Sequence, residues 1–299
     1  MFKKIIKPLT EHAKTPEIDY YQADWHSFPT TKIHRLLDIV TQKNYHLEDI
    51  NLSKTNLDDS LVEHLIKACP TIRSINLSEC PTTDTMIKTI TKGCPQLTII
   101  NLTAHWLYQS QITNDAIQAI AKHCPHLTKL TISWSLNITD TAIEAIATHC
   151  QQLTYLNITN CILLTNVAFQ LILTHCRQLT YLNIFYDNRK TKCNIQAETV
   201  HSTQLTHLEI SSGFYSFTTD ITIQAITTKC PLLTYINISH CHLLTDITIQ
   251  AIITHCPQLT YLDIRGCRLI TADIIQTIAA RYLSLRLITS TKCKLKCNA

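Results

Sequence analysis

Cysteine and histidine offer the most chemistry in this sequence, with 14 Cys and 15 His among 299 residues. Three kinds of site could be built from them. Cys293-Lys-Leu-Lys-Cys297 has a loose metal-ligand spacing, although zinc needs four ligands that converge tetrahedrally. His123, His149, His175 and His255 each precede a cysteine, and a thiol beside a base is the start of a nucleophile, provided its pKa is lowered. The cysteines could also pair as disulfides in an oxidising compartment.

Their spacing speaks against all three. Cys69, Cys94, Cys124, Cys150, Cys176, Cys230 and Cys256 fall at one fixed point of a unit that recurs about every 26 residues. Cys80, Cys161, Cys241, Cys267 and Cys293 fall at a second, and Cys193 and Cys297 lie outside both sets. A residue that returns once per repeat stacks on itself, so each set reads as a ladder of reduced, buried thiols acting as small hydrophobes. Cys293 then belongs to a ladder, and no metal site or cofactor is expected. The His-Cys pairs recur near expected helix C-termini, where a polar or cationic cap is favoured; an active site is rarely copied so often. With no Gly-rich phosphate loop, paired-carboxylate motif or Gly-x-Ser-x-Gly, no catalytic residue and no enzyme is expected.

The element that positions these residues is the repeat. Taking the first apolar residue of Leu-x-x-Leu-x-Leu as its start, the units begin at Leu47, Ile72, Leu97, Leu127, Leu153, Leu179, Leu205, Leu233 and Leu259, with a degenerate tenth at Leu285. The steps from Leu97 and from Leu205 are longer than the others. Within a unit, Leu153, Leu156 and Ile158 mark a short strand, the last two alternating with polar residues. Thr165-Asn166 then makes an N-cap for a helix carrying Phe169, Ile172 and Leu173 at helical spacing. Thr139-Asp140 and Thr245-Asp246 repeat the pattern.

The motif Leu-x-x-Leu-x-Leu-x-x-Cys-x-x-Ile/Leu-Thr-Asp, closed by Cys-Pro, resembles the cysteine-containing leucine-rich repeat family found in F-box/leucine-rich repeat proteins. The resemblance covers residues 47 to about 293. It implies an α/β leucine-rich repeat solenoid, a right-handed α/β horseshoe with a parallel concave sheet and outer helices, working by binding a protein partner. The unit starting at Leu179 departs from the motif: Asp187 and Ser202 replace its two cysteines, and Arg189-Lys190-Thr191-Lys192 is basic. A weak or distorted helix is expected there.

Composition narrows the partners. A net charge of +4 is too mild to argue for nucleic acid, no apolar run of about 20 residues suggests a membrane span, and no secretory signal is read at the start. A cytoplasmic monomer is expected. The Ile-, Thr- and Lys-rich, Gly-poor composition hints at an AT-rich genome, and a microbe or virus could deliver such a chain into a host cell.

Side chains alternate along a strand, so the open face carries positions +2, +4 and +6 from each repeat start. Position +2 runs Asp49, Ser74, Ile99, Lys129, Tyr155, Tyr181, His207, Tyr235, Tyr261; position +4 is mostly asparagine and ties neighbouring strands together. The aromatic column, flanked by Phe185, marks a binding face; duplication of one Leu-Thr-Tyr-Leu-Asn-Ile repeat would also produce it. Trp106 and Tyr108 fall in the extended third unit, and Phe214, Tyr215 and Phe217 in the extended seventh. Insertions in such arrays collect on the binding face, or these rings pack onto the rim.

Residues 1–46 read as a flexible segment followed by an N-terminal helical cap, 47–292 as about nine to ten repeats, and 293–299 as a tail. The segment Phe28-Pro29…Ile33…Leu36 loosely resembles an F-box, the module that docks a cullin-type ubiquitin-ligase adaptor. The interval to Leu47 is shorter than that module, and its later Trp has no counterpart. Ile33, Leu37 and Val40 instead suit the helix of a capping repeat begun near Tyr21. A non-catalytic interaction scaffold is the first reading, and the substrate-recognition subunit of a ubiquitin ligase the second.

Overall fold

In each repeat, a strand and a helix bury their apolar residues against one another and against the next repeat, so no unit closes a core alone. The computed structural model describes residues 6–8, 20–104, 111–184, 197–211 and 218–289, and the chain divides into two compact units, 1–153 and 154–299.

The first unit holds strands β1 (Ile6–Pro8), β2 (Tyr20–Asp24), β3 (His46–Asn51), β4 (Ser74–Asn76), β5 (Ile99–Asn101) and β6 (Lys129–Thr131). Its helices are α1 (Thr30–Gln42), α2 (Asp59–Ala68), α3 (Asp84–Gly93), α4 (Asn114–His123) and α5 (Asp140–His149). Strands β2 to β6 pair in parallel, each with the next, and β1 lies antiparallel on β2. Trp25 is fully buried behind β2, and Ile33, Leu36, Leu37 and Val40 of α1 are all buried. Within the stretch expected to be a flexible segment and a cap, residues 20–51 thus form a strand–helix–strand unit on the repeat plan.

The second unit holds β7 (Tyr155–Asn157), α6 (Asn166–His175), β8 (Tyr181–Asn183), a single 3₁₀ turn at Ala197–Thr199, β9 (His207–Glu209), α7 (Asp220–Lys229), β10 (Tyr235–Asn237), α8 (Asp246–His255), β11 (Tyr261–Asp263), α9 (Ala272–Arg281) and β12 (Arg286–Ile288). All six strands pair in parallel in chain order. The 3₁₀ turn stands where the motif departs from the repeat. Both units are therefore α/β leucine-rich repeat solenoid in construction: a parallel sheet strand by strand, with a helix between successive strands.

Three side-chain ladders hold neighbouring repeats in register. The threonine after each repeat start donates its hydroxyl to the threonine carbonyl one repeat earlier: Thr180 to Thr154 at 3.0 Å, Thr206 to Thr180 at 3.1 Å and Thr234 to Thr206 at 3.2 Å. The acid or amide that opens a helix clamps the N-cap threonine of the next repeat. Asp84 accepts from the N–H and hydroxyl of Thr113 at 2.8 and 2.6 Å, and Asp220 does the same for Thr245 at 2.9 and 2.7 Å. Asn114 takes this part toward Thr139.

The third ladder is the cysteines. Cys94, Cys150 and Cys230 direct their thiols at the carbonyls of Cys69, Cys124 and Ser202, while Cys80, Cys241 and Cys267 reach Leu52, Ile210 and Ile238 at 3.0 to 3.1 Å. The expected role of small hydrophobe is thus half of the account, since these six thiols also act as donors between repeats. At two places where the cysteine is missing, a hydroxyl substitutes. Ser202 Oγ lies 2.8 Å from the Cys176 carbonyl, and Tyr282 Oη 2.8 Å from that of Cys256.

Candidate protein-binding face

Parallel pairing places Tyr155 beside Tyr181, Tyr181 beside His207, His207 beside Tyr235 and Tyr235 beside Tyr261. Adjacent strands lie about 4.8 Å apart, so rings that point the same way must stack. Their centroids are separated by 4.1, 5.2, 4.0 and 4.1 Å in that order, with planes 2 to 23° apart. All five rings are part-exposed, while Leu156, Leu182, Leu208, Ile236 and Leu262 behind them are fully buried. Arg286 closes the column 5.8 Å from the Tyr261 ring. The sequence register put Leu287 in that place. The last unit is one residue shorter between its start and its strand, so Arg286 pairs with Tyr261.

Stacking decides what the face presents. Inside the ladder each ring face lies against a neighbouring ring, leaving ring edges and the polar tips for solvent. Burial within the column pulls His207 below the ordinary imidazole range, so its ring is neutral at physiological pH. Burial likewise raises the Tyr181 and Tyr235 hydroxyls above the usual phenol range, so they stay protonated donors.

The asparagine column does more than tie strands together. Asn51, Asn76, Asn101, Asn157 and Asn237 each accept from the backbone N–H two residues on, at 3.0 to 3.1 Å, an Asx turn that ends the strand. Just beyond, a residue with positive φ starts the turn: Lys54, Glu79, Trp134, Asn160, His240 and Gly266. Asparagine and glycine suit that conformation and tryptophan does not. At Gly266 a Cβ would come within 2.5 Å of His240 Nδ1. Trp134 is also 38% exposed; the signal for it was its place in the turn register, which the sequence reading did not single out.

A second exposed feature went unread in the sequence. Flanking the helix N-caps of the second unit, Leu163, Leu243 and Leu269 lie two residues before a cap, and Val167, Ile221 and Ile247 two residues after one; these side chains are 39 to 53% exposed. The same places in the first unit hold Asn56, Pro81, Gln111 and Asn137, then Ser60, Thr85, Asp115 and Thr141. Aligning the repeats on their caps reveals the contrast.

Trp106, Tyr108, Phe185, Phe214, Tyr215 and Phe217 lie outside the described residues. So do the cysteines of Cys293-Lys-Leu-Lys-Cys297. Burial pushes the Cys69, Cys124, Cys150, Cys230, Cys256 and Cys267 thiols up to about 12, and those of Cys80 and Cys94 up to about 11. Thiols held there are protonated at neutral pH and poor nucleophiles. Among the described residues, no group of three or more His, Cys, Asp or Glu is arranged to hold a metal ion, and no helix is long and apolar enough to cross a membrane.

The comparisons agree with this geometry. The family model described as Leucine Rich repeat matches residues 123–147 and 255–279, one stretch in each unit. One chain of the crystal structure of the Rad7 and Elc1 complex in yeast is similar over 89% of this chain and 86% of that one, with a TM-score of 0.51 at 14% identity. At that identity the likeness is one of fold. No curated protein matches in sequence. The fold is thus that of a leucine-rich repeat solenoid, and two of its stretches match the leucine-rich repeat model. Leucine-rich repeat solenoids generally serve as binding scaffolds.

Proposed function

We propose that this chain is a non-catalytic scaffold that binds a protein partner on the open, concave side of its sheet. The observation that carries the reading is the in-register stack of Tyr155, Tyr181, His207, Tyr235 and Tyr261. Each ring is held by its neighbours, so a partner meets an already ordered strip and little side-chain entropy is lost on binding. Tyrosine supplies large contact area with a polar tip, which is the composition of interface hot spots. Phe185, with Trp106, Tyr108, Phe214, Tyr215 and Phe217 in the longer connections, stays in the proposal as flanking contact. Catalysis has no support in the buried, protonated thiols. The scaffold acts as a monomer in the cytoplasm of the cell where it works, a host cell if the source is microbial.

The test is a titration of the captured partner against Tyr181→Ala/Tyr235→Ala. Affinity falls by about 2–4 kcal/mol while the fold is kept; unchanged affinity sinks the reading.

The second reading makes the chain the substrate-recognition subunit of a cullin-type ubiquitin ligase, docked through residues 1–46. One observation favours it: the similar yeast structure is a complex of two proteins, Rad7 and Elc1. Against it, α1 spends Ile33, Leu36, Leu37 and Val40 on capping the repeats, which leaves its apolar face engaged. Co-purification of a cullin and its adaptor with the full chain decides the matter.

A further inference from the structure

We propose that Glu209 is the point at which this face takes a basic side chain of its partner, a guanidinium best of all. The inference rests on the binding-face reading above and specifies its chemistry.

Glu209 stands in the column that holds Asn157, Asn183 and Asn237 in the neighbouring repeats. Asn157 and Asn237 spend their oxygens on their own turns. The longer glutamate reaches back across the strand instead. Its Oε2 accepts from Asn183 Nδ2 at 2.9 Å, and its Oε1 from the Tyr181 hydroxyl at 3.5 Å. The carboxylate therefore sits at the middle rung of the aromatic ladder, bonded by the phenol of the rung before and flanked by the strand of the rung after.

Among the described residues, no positive charge is paired with this cluster. Two acids elsewhere on the described strands have one: Glu48 pairs with Arg73 at 3.0 Å, and Asp263 with Arg265 at 2.6 Å. No ion pair to Glu209 occurs among the described residues. His207, on the same strand, is neutral, and Arg265 is engaged by Asp263 on three contacts. A half-buried carboxylate without a counter-charge is costly, and one neutral phenol and one amide offset only part of that cost. Burial raises its pKa above the usual carboxylate range, as expected of such a group.

The geometry also selects the kind of cation. The Tyr181 phenol proton and one amide N–H are directed at Glu209, so the site offers an incoming group acceptors: carboxylate oxygens and the Tyr181 phenol oxygen. Ring faces are covered by stacking, which removes the face-on aromatic contact a compact ammonium would use. A guanidinium brings five N–H donors in one plane and can bridge the carboxylate and the Tyr181 phenol together. Lysine satisfies the charge with fewer of the acceptors.

Panning a phage-displayed library of random linear peptides on the full chain tests this directly. Enriched clones are expected to share an Arg or Lys at a fixed position and to lose about tenfold or more in affinity on Glu209→Gln. Enrichment without a basic residue, or clones indifferent to Glu209→Gln yet lost on Tyr181→Ala/Tyr235→Ala, overturns the cation assignment while the binding face stands. Clones that bind the double variant as well as the parent, or a selection that enriches nothing, overturn the binding face and this inference with it. Selection of basic peptides only by Arg189→Gln/Lys190→Gln/Lys192→Gln assigns Glu209 to the chain's own basic stretch and also overturns the proposal.

Discussion

Tyr235 and Tyr261 stand one repeat apart with ring centroids 4.1 Å from each other and planes 2° from parallel. Their strands pair residue for residue, so the solenoid itself holds the two rings face to face. The same geometry recurs along the second unit and turns five side chains into one surface. The aromatic strip is thus a by-product of how the repeats are kept in register, and its proposed role in recognition can be separated from its role in stability by substitution.

Removing one interior ring costs two stacking contacts. Tyr181→Ala lowers unfolding free energy by about 1–3 kcal/mol, at about 0.5–1.5 kcal/mol per aromatic pair, whereas Tyr181→Phe keeps the stack and changes stability little. Urea unfolding of the two variants separates them; equal losses would mean that the hydroxyl, with its contact to Glu209, matters more than the ring.

Asp220 joins α7 to the next repeat through the N–H and hydroxyl of Thr245 and the hydroxyl of Thr248, at 2.9, 2.7 and 2.5 Å. Asp220→Ala strands these donors, and a loss of about 1.5–3 kcal/mol is expected for hydrogen bonds to a charged acceptor. Asp220→Asn is milder, because Asn114 already holds Thr139 in the equivalent place. A thermal melt in which the two variants are indistinguishable would contradict this.

Two buried serines replace ladder cysteines with opposite consequences. Ser202 Oγ has carbonyls at 2.8, 3.0 and 3.2 Å, whereas the Ser135 hydroxyl is buried with no hydrogen-bond partner. Ser202→Ala lowers stability by about 1–2 kcal/mol, while Ser135→Ala is neutral or stabilising, since only the former breaks a bond that was made. Denaturant midpoints that move in the same direction in both variants would refute the ladder account.

Ladder thiols couple stability to alkaline pH. A free cysteine ionises at about pH 8.5, while Cys150 and Cys256 are held up to about 12. The folded value is the higher, so this contribution is complete below the unfolded pKa and is lost as pH rises through the folded one. Urea midpoints fall progressively above a pH of about 8.5, and the folded chain resists thiol alkylation at Cys150 and Cys256 until denatured. Rapid native labelling at either position would show that the thiols are not held in the core.

Much of this was legible in the sequence because the period of the repeat does the structural work. Once Leu153, Leu179, Leu205, Leu233 and Leu259 are aligned, Tyr155, Tyr181, His207, Tyr235 and Tyr261 must share one face of a parallel sheet. The departures at Asp187 and Ser202 likewise announce the break that appears as a 3₁₀ turn at Ala197–Thr199. What escaped depends on contacts between repeats. That Ser202 can stand in for a cysteine while Ser135 cannot, or that Glu209 reaches Tyr181 where an asparagine would bond its own turn, follows from distances of an ångström or so that periodicity does not encode. The shift that brings Arg286 beside Tyr261 comes from one residue fewer between Leu285 and its strand. The exposed Leu163, Leu243 and Leu269 were hidden in positions that a helical pattern treats as ends.

The most direct test of the central claim is quantitative capture from a eukaryotic lysate on the full chain and on Tyr181→Ala/Tyr235→Ala, matched for folded fraction. The account predicts a protein partner retained by the parent and lost by the double variant. The same proteins retained equally by both would place recognition elsewhere on the molecule and contradict it.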